Sequence, residues 1–364
     1  MPTIFVKDDL RASVEAASGG KQTVLYTALG QPTFMNVIPA FNGQDLDAAL
    51  PAGLHPMFTV GGVNKSEIFI GSYQGIVKNG ELLSLPGVDP SSSLNHDQFV
   101  TYARACGVGY HAITNAEFSG MALWCKANSF QPRGNTNYGK SSDSAWETAR
   151  RMDGGVPGVT TGTARTLTGS GPASWRHDNS AGGISDLCGN IWEWTPGMRL
   201  AGGEIQIINN NDAALSATDM SATSAAWKAI DGATGLLVAP TFTGTLAGGD
   251  YVATTVNSVR YAAAGTANYS LVRASGLSFE GMTNPGVTPA SAAALAVLKA
   301  HGAFPTAATG LNADGFWATL TGETLLIRGG GWGYAAASGV FALYLSHARS
   351  GVGDGIGSRP AFVL

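Results

Sequence analysis

The chain has 364 residues, room for one large domain or two smaller ones, and 44% of them are hydrophobic, which supplies a sizeable core. Only 13% are charged, about half of the ~25% usual in globular domains, and the net charge is −4 with 50 glycines. This balance fits turns and β-structure under a neutral polar surface better than a helical bundle, and the charge gives no electrostatic reason to expect nucleic acid. Cys106, Cys125 and Cys188 are widely spaced and form neither a disulfide framework nor a CxxC zinc pattern, so they read as buried thiols.

In chain order, "PTIFV" and "KQTVLYTAL" read as strands and "FNGQDLDAALPAGLHP" as a turn-rich connector, giving a small β-rich attachment segment over 1–55. No basic region precedes an apolar run at the N-terminus, so synthesis in the cytoplasm without a signal peptide is expected. No apolar run is long enough to span a bilayer, so membrane insertion is not expected. From Met57 onward, "MFTVGG" and "SEIFIGSYQGIVKNGELLSLPG" read as meander strands with a hairpin turn at Asn79-Gly80. "LNHDQFVTYARACG" has helical spacing at Phe99, Tyr102 and Ala103 with Gly107 as a stop. In "ITNAEFSGMALWCKANSF", Thr114 and Glu117 form a capping-box pattern ahead of an apolar face of Phe118, Met121, Ala122 and Cys125. Two helices after a short sheet point to an α+β domain.

The stretches "QPRGNTNYGKSSD" and "RMDGGVPGVTTGTARTLTGSGPASWRHDNSAGG" are long and irregular, and loops of that length are functional or packed on themselves. Residues 201–325 are rich in Ala, Thr, Gly and Asn and read as an insertion. Strands are expected at "GEIQIINN", "GLLVAP", "YVATTV" and "NSVRYAA". A helix is expected at "TPASAAALAVLKAHG", with Thr288 as cap, Pro289 in the first turn and Gly302 at the end.

Four segments, "HAITNAEFSGMALW", "PRGNTNYG", "GISDLCGNIWEWT" and "LLIRGGGW…IGSRPAFVL", together resemble the formylglycine-generating-enzyme (sulfatase-modifying factor) branch of the C-type lectin-like fold. The resemblance covers roughly residues 57–200 and 325–364. It implies an α+β, C-type lectin-like domain over 56–364, interrupted by the insertion. The oxidase activity of that family depends on cysteines in the C-terminal segment, and this chain has none after Cys188, so no enzymatic activity and no cofactor are expected. Neither His177-Asp178 nor His347 is placed by the sequence beside a nucleophile. The resemblance also raises a structural calcium near Glu193; a Glu hydrogen-bonded to backbone amides is the alternative.

The closing segment is similar to a narrower group, the receptor-binding variable proteins of diversity-generating retroelements, which include the major tropism determinant-like proteins of phage tails. There an error-prone reverse transcriptase substitutes adenines, so that Asn codons at chosen positions become codons for other residues. The resemblance implies a diversified ligand-binding segment over 327–364 with Gly331, Gly333, Tyr334, Ala337, Tyr344, Ser346, His347, Gly351, Gly353, Asp354 and Gly355 as variable positions. All eleven are residues that an Asn codon with replaced adenines encodes, and 327–364 contains no Asn. Trp192, Trp194, Arg328, Trp332, Phe341, Leu343, Leu345 and Arg359 are the implied scaffold.

Strand alternation agrees: Phe341, Leu343 and Leu345 share one face, and Ala342, Tyr344 and Ser346 the other, which is expected to be free to change. For Trp192 and Trp194 packing stands against a ligand platform, for Arg328 and Arg359 buried polar contacts against ligand binding, and for Tyr334, Tyr344 and His347 binding against an ordinary surface. "GVGDGIG" reads as a tight loop, because no strand-to-helix context or Lys makes it a phosphate loop. The resemblance implies a host-surface protein or glycan receptor and other tail or virion proteins as partners, and a homotrimer at a virion tail tip. A bacterial cell-surface adhesin or effector on the same scaffold is the alternative.

Overall fold

The structure, a computed structural model, describes residues 8–246, 249–273 and 278–364. The strand expected at 2–6 lies outside the described residues. Helices and strands are mixed and the sheets are open, an α+β organisation. Among the described residues no helix is long and apolar enough to cross a membrane.

One sheet runs in the order Gln22–Tyr26, Pro32–Pro39, Glu67–Gly71, Pro360–Phe362, Tyr110–Ala112, all antiparallel. The penultimate residues of the chain therefore sit between strands from its first third. The strands of 1–55 complete this sheet rather than forming a layer of their own, because residues 35–39 of Pro32–Pro39 pair with Glu67–Gly71. That segment also contains a helix, Asp9–Ser18, where a β-rich segment was expected. Asp8 caps it by accepting from Arg11 N, and Gly19, at φ 63°, ends it in the left-handed region.

The second sheet is built on Trp192–Ala201, a strand whose ten residues are all buried. Glu204–Ile208 pairs on one side of it and Glu323–Arg328 on the other, followed by Leu343–His347 and then Phe316–Ala318. The expected insertion is thus woven into this sheet. Glu204–Ile208 returns from Trp192–Ala201 in a hairpin, and Phe316–Ala318 forms a parallel pair with Leu343–His347, with Trp317 beside Tyr344.

Against Trp192–Ala201 packs Asn115–Ala127, buried from Asn115 to Leu123. Its N-terminus carries the capping box read from the sequence: Thr114 Oγ accepts from Glu117 N, and Glu117 accepts from Thr114 N. Glu117 is fully buried, and His111 Nε2 (2.7 Å) and Asn211 Nδ2 (2.9 Å) complete its partners. Asn95 and Gln98 form a second capping box at His96–Ala105.

The helix expected from Thr288 begins later, as Ala292–Ala300, with Ser291 rather than Thr288 as the cap. Ser291 wins because its Oγ accepts from Ala294 N at 3.1 Å, while Pro289 and Ala290 lie outside the helix. Its C-terminal end meets the expected stop: Gly302 has φ 58° and follows the cap residue His301.

Candidate functional site

The scaffold residues divide into a buried set and one exception. Trp194, Arg359, Leu343 and Leu345 are fully buried, and Trp192, Arg328 and Phe341 nearly so. Arg359 Nε donates to Glu193 Oε2 at 2.7 Å, Nη2 donates to Glu193 Oε1 at 2.5 Å, and the remaining guanidinium protons reach the carbonyls of Gly71, Ser185 and Asp186. Gln74 Nε2 also donates to Glu193 Oε1. The Glu193 carboxylate is held by a cation and an amide side chain rather than by backbone amides, and a calcium ion there would have to displace a buried guanidinium. Among the described residues no group of three or more His, Cys, Asp or Glu is placed to hold a metal.

Arg328 is a buried cation of another kind. Its partners are Asn115 Oδ1 at 2.8 Å and the carbonyls of His301 and Gly302, at the C-terminal end of helix Ala292–Ala300. Burial lowers its pKa to about 10. The partial negative charge of a helix C-terminus takes the place of a carboxylate. Trp332 is the exception, being only half-buried; its main chain is held instead, with its N–H on Asn190 O and its carbonyl accepting from Tyr138 N.

Asn190, in the motif "GNIWEW", organises the surrounding loops. Its side chain accepts from Thr166 N and Asn135 Nδ2 and donates to Gln74 Oε1 and Thr166 O. Asn135 and Thr136 from the first irregular stretch then brace the closing loop, with Ala335 N donating to Thr136 O. The second irregular stretch is packed on itself around Arg151, which bonds Asp153 and the carbonyls of Val156, Val159 and Thr161.

The predicted variable positions line this edge unevenly. Gly333, Tyr334 and Asp354 are exposed, while Ala337, Tyr344, Ser346, His347, Gly351, Gly353 and Gly355 are half-buried. Gly331 departs from expectation: it is buried, and a Cβ there would lie 3.2 Å from the Trp192 ring and 3.4 Å from the Tyr334 ring. The glycines separate by backbone. Gly329 (φ 90°) and Gly330 (φ 88°) need the left-handed region, and a Cβ on Gly330 would meet Ser338 Oγ at 2.3 Å. None of Gly331, Gly333, Gly351, Gly353 and Gly355 has a positive φ, so side-chain-bearing residues fit their backbone.

Phe341, Leu343 and Leu345 point into the core as expected. The opposite face is not the open surface that alternation suggested: Ala342 is fully buried and Tyr344 half-buried. The reason is a second apolar cluster, including Phe99, Leu82, Trp192, Trp194 and Ile327, which covers that face of the sheet. At its rim an aromatic niche forms. Trp192 packs edge-on against Tyr334 (5.1 Å), Tyr344 (5.7 Å) and Trp317 (5.8 Å), and Tyr344 stands 5.3 Å from Trp317 and 5.0 Å from His347. His347 in turn packs edge-on to Trp194.

Burial pushes the Tyr334 phenol up, and the nearby indole of Trp192 partly offsets this. Yet Trp192 Nε1 is buried and makes no hydrogen bond of good geometry. The niche thus combines half-exposed rings, two phenol hydroxyls and a desolvated indole donor. This suits recognition of apolar or ring-shaped groups carrying a hydrogen-bond acceptor. Sequence reasoning missed Trp317, because only the parallel pairing of Phe316–Ala318 with Leu343–His347 brings it here. It also missed Tyr138, whose hydroxyl lies under Gly333.

No family model matches the chain, and no curated protein matches it.

Proposed function

We propose that the chain is a non-enzymatic receptor-binding protein of C-type lectin-like fold whose closing segment is diversified by a retroelement, displayed at a phage or prophage tail tip. The observation that carries this reading is the sorting of the last 38 residues. Residues assigned to the framework are buried or backbone-constrained, and those assigned to variation, Gly331 apart, are half-buried or exposed.

A surface that must change without unfolding needs this separation, since surface substitutions usually cost within about ±0.5 kcal/mol and core truncations ~2–5 kcal/mol. Half-exposed Tyr334 and Tyr344 are the residue type that dominates interface energetics. The thiols support a non-catalytic reading: all three are buried, and burial pushes Cys106 up to about 12 and raises Cys125 and Cys188 well above the ordinary thiol range. A trimer at the tail tip multiplies weak single-site affinities through avidity.

The test is the DNA flanking the gene. A reverse-transcriptase gene and a near-copy of the bases encoding residues 327–364, carrying adenines at the codons of the variable positions, are the expected finding. Flanking DNA with neither would refute diversification.

A further inference from the structure

We propose that Asp314, with Glu280 and Asn312, forms a calcium site beneath the closing loops, an assignment independent of what the protein recognises. A cavity of about 150 Å³ lies between Lys126, Ser129–Gln131, the turn Gly310–Asp314 and Gly339–Phe341. Asp314 lines it and is 1% exposed. Its Oδ2 accepts from Phe341 N at 2.7 Å, and its Oδ1 makes no hydrogen bond of good geometry, although the Asn312 side chain is close enough to lower the Asp314 pKa in part. A buried carboxylate oxygen without a donor is costly, and such a group either keeps a proton or takes up a cation.

The neighbouring charges do not resolve it. Lys126 is the cation lining the cavity, and its ammonium is engaged by Asp47 (2.8 Å) and Thr306 (2.7 Å). Glu280 and Asp143 both raise rather than relieve the Asp314 pKa.

The turn has the form of an oxygen-donor loop. Asn312-Ala313-Asp314-Gly315 matches the second half of the D-x-[DN]-x-[DN]-G spacing of calcium loops. Gly310 stands where such a loop has its first acid. The Glu280 carboxylate approaches the same turn from outside, accepting from Leu311 N at 2.7 Å. Asn312 (φ 63°) and Ala313 (φ 55°) are both left-handed, which curls the turn tightly around Asp314. Amide, hydroxyl and carboxylate oxygens are hard donors that suit Ca²⁺, and its irregular coordination tolerates a turn of this shape better than the octahedral demand of Mg²⁺. Two carboxylates place the affinity in the range of extracellular modules, Kd on the order of 10⁻⁴–10⁻³ M.

Occupancy would fix the hydrogen bond from Phe341 N and hence the start of the strand that presents Tyr344 and His347. Gly339 is bound to this arrangement, because a Cβ there would lie 2.0 Å from Asp314 Oδ1.

The experiment is calorimetric titration of the full chain with CaCl2 after chelation, paired with thermal unfolding in calcium and in chelator. Saturable millimolar or tighter binding with a raised Tm is expected in the wild type, together with at least a tenfold weaker Kd in Asp314→Asn. Glu280→Gln, on a half-buried residue, guards against misfolding of the Asp314 variant and should weaken binding several-fold. A wild type that neither binds calcium nor changes Tm overturns the site. So does undiminished binding by folded Asp314→Asn.

Discussion

Arg359 and Glu193 form a two-pronged ion pair across 166 residues of chain, with both side chains essentially inaccessible to solvent. The pair ties the closing strand Pro360–Phe362 of one sheet to Trp192–Ala201 of the other. Removing one partner from such a pair strands a buried charge, a loss of ~3–5 kcal/mol. Glu193→Ala and Arg359→Ala should each lower the urea midpoint by a corresponding amount, a large share of the ~5–15 kcal/mol that holds a domain together. A loss under about 1 kcal/mol in either would show that the two sheets are joined by other means.

Trp317 should behave as a recognition residue supplied from outside the closing segment. It is half-buried, so Trp317→Ala should cost less than the ~3–5 kcal/mol of a fully buried aromatic. It should weaken attachment to target cells at least as much as Tyr334→Ala does. Cell-binding and unfolding assays on the two variants separate these effects; unchanged binding in Trp317→Ala would remove it from the site.

Replacing Tyr344, Ser346 and His347 together by Ala should destabilise measurably, by about 1–2 kcal/mol, because Tyr344 packs on Trp192 and Trp317. Asp354→Asn, on an exposed loop, should leave Tm unchanged. Differential scanning calorimetry of the two variants checks the ranking, and a larger loss in Asp354→Asn would reverse the assignment.

Stability should pass through a maximum near neutral pH. Burial lowers His55 to about 3 and His177 and His301 to about 4. Unfolded histidines titrate near ~6.5. Between those values the unfolded chain binds more protons, so this stabilisation is complete above ~6.5 and is lost as pH falls toward 4. Asp314 acts in the opposite sense: burial raises it to about 8, so its contribution is present below ~4 and lost as pH rises toward 8. Each uncompensated proton changes stability by about 1.4 kcal/mol per pH unit. In chelator, with no calcium to hold Asp314 ionised, urea midpoints should therefore fall on both sides of pH ~6.5; a monotonic rise from pH 5 to 8 under that condition would contradict the effect of burial on Asp314.

Local patterns carried much of this architecture. The capping boxes at Thr114 and Asn95, the Asn79-Gly80 turn and the inward face of Phe341, Leu343 and Leu345 were legible because each depends on residues a few positions apart. The helix Asp9–Ser18 was missed although its Asp8 cap and Gly19 stop are present, because none of its residues is buried and no apolar stripe marks it. The covering of Ala342 and Tyr344, the place of Trp317 and the weaving of 201–325 into the sheet all follow from pairing between distant strands, which no short-range pattern encodes. The Arg328 contact with helix Ala292–Ala300 is of the same kind.

The account's central claim is that one accessible edge can change its residues, and with them its target, while the framework stays fixed. A library randomised at Gly333, Tyr334, Ala337, Tyr344, Ser346, His347, Gly351, Gly353, Asp354 and Gly355 tests it directly. The library would be sorted for folded protein, then for binding to immobilised envelopes of different bacteria, and sequenced after each step. A matched library at exposed positions of 216–246 serves as control. The account predicts that most members of the first library, in which Trp194, Leu343, Leu345 and Arg359 are left unchanged, fold, and that new target specificities arise from it alone. New specificities arising equally from the control library, or a first library that rarely folds, would contradict it.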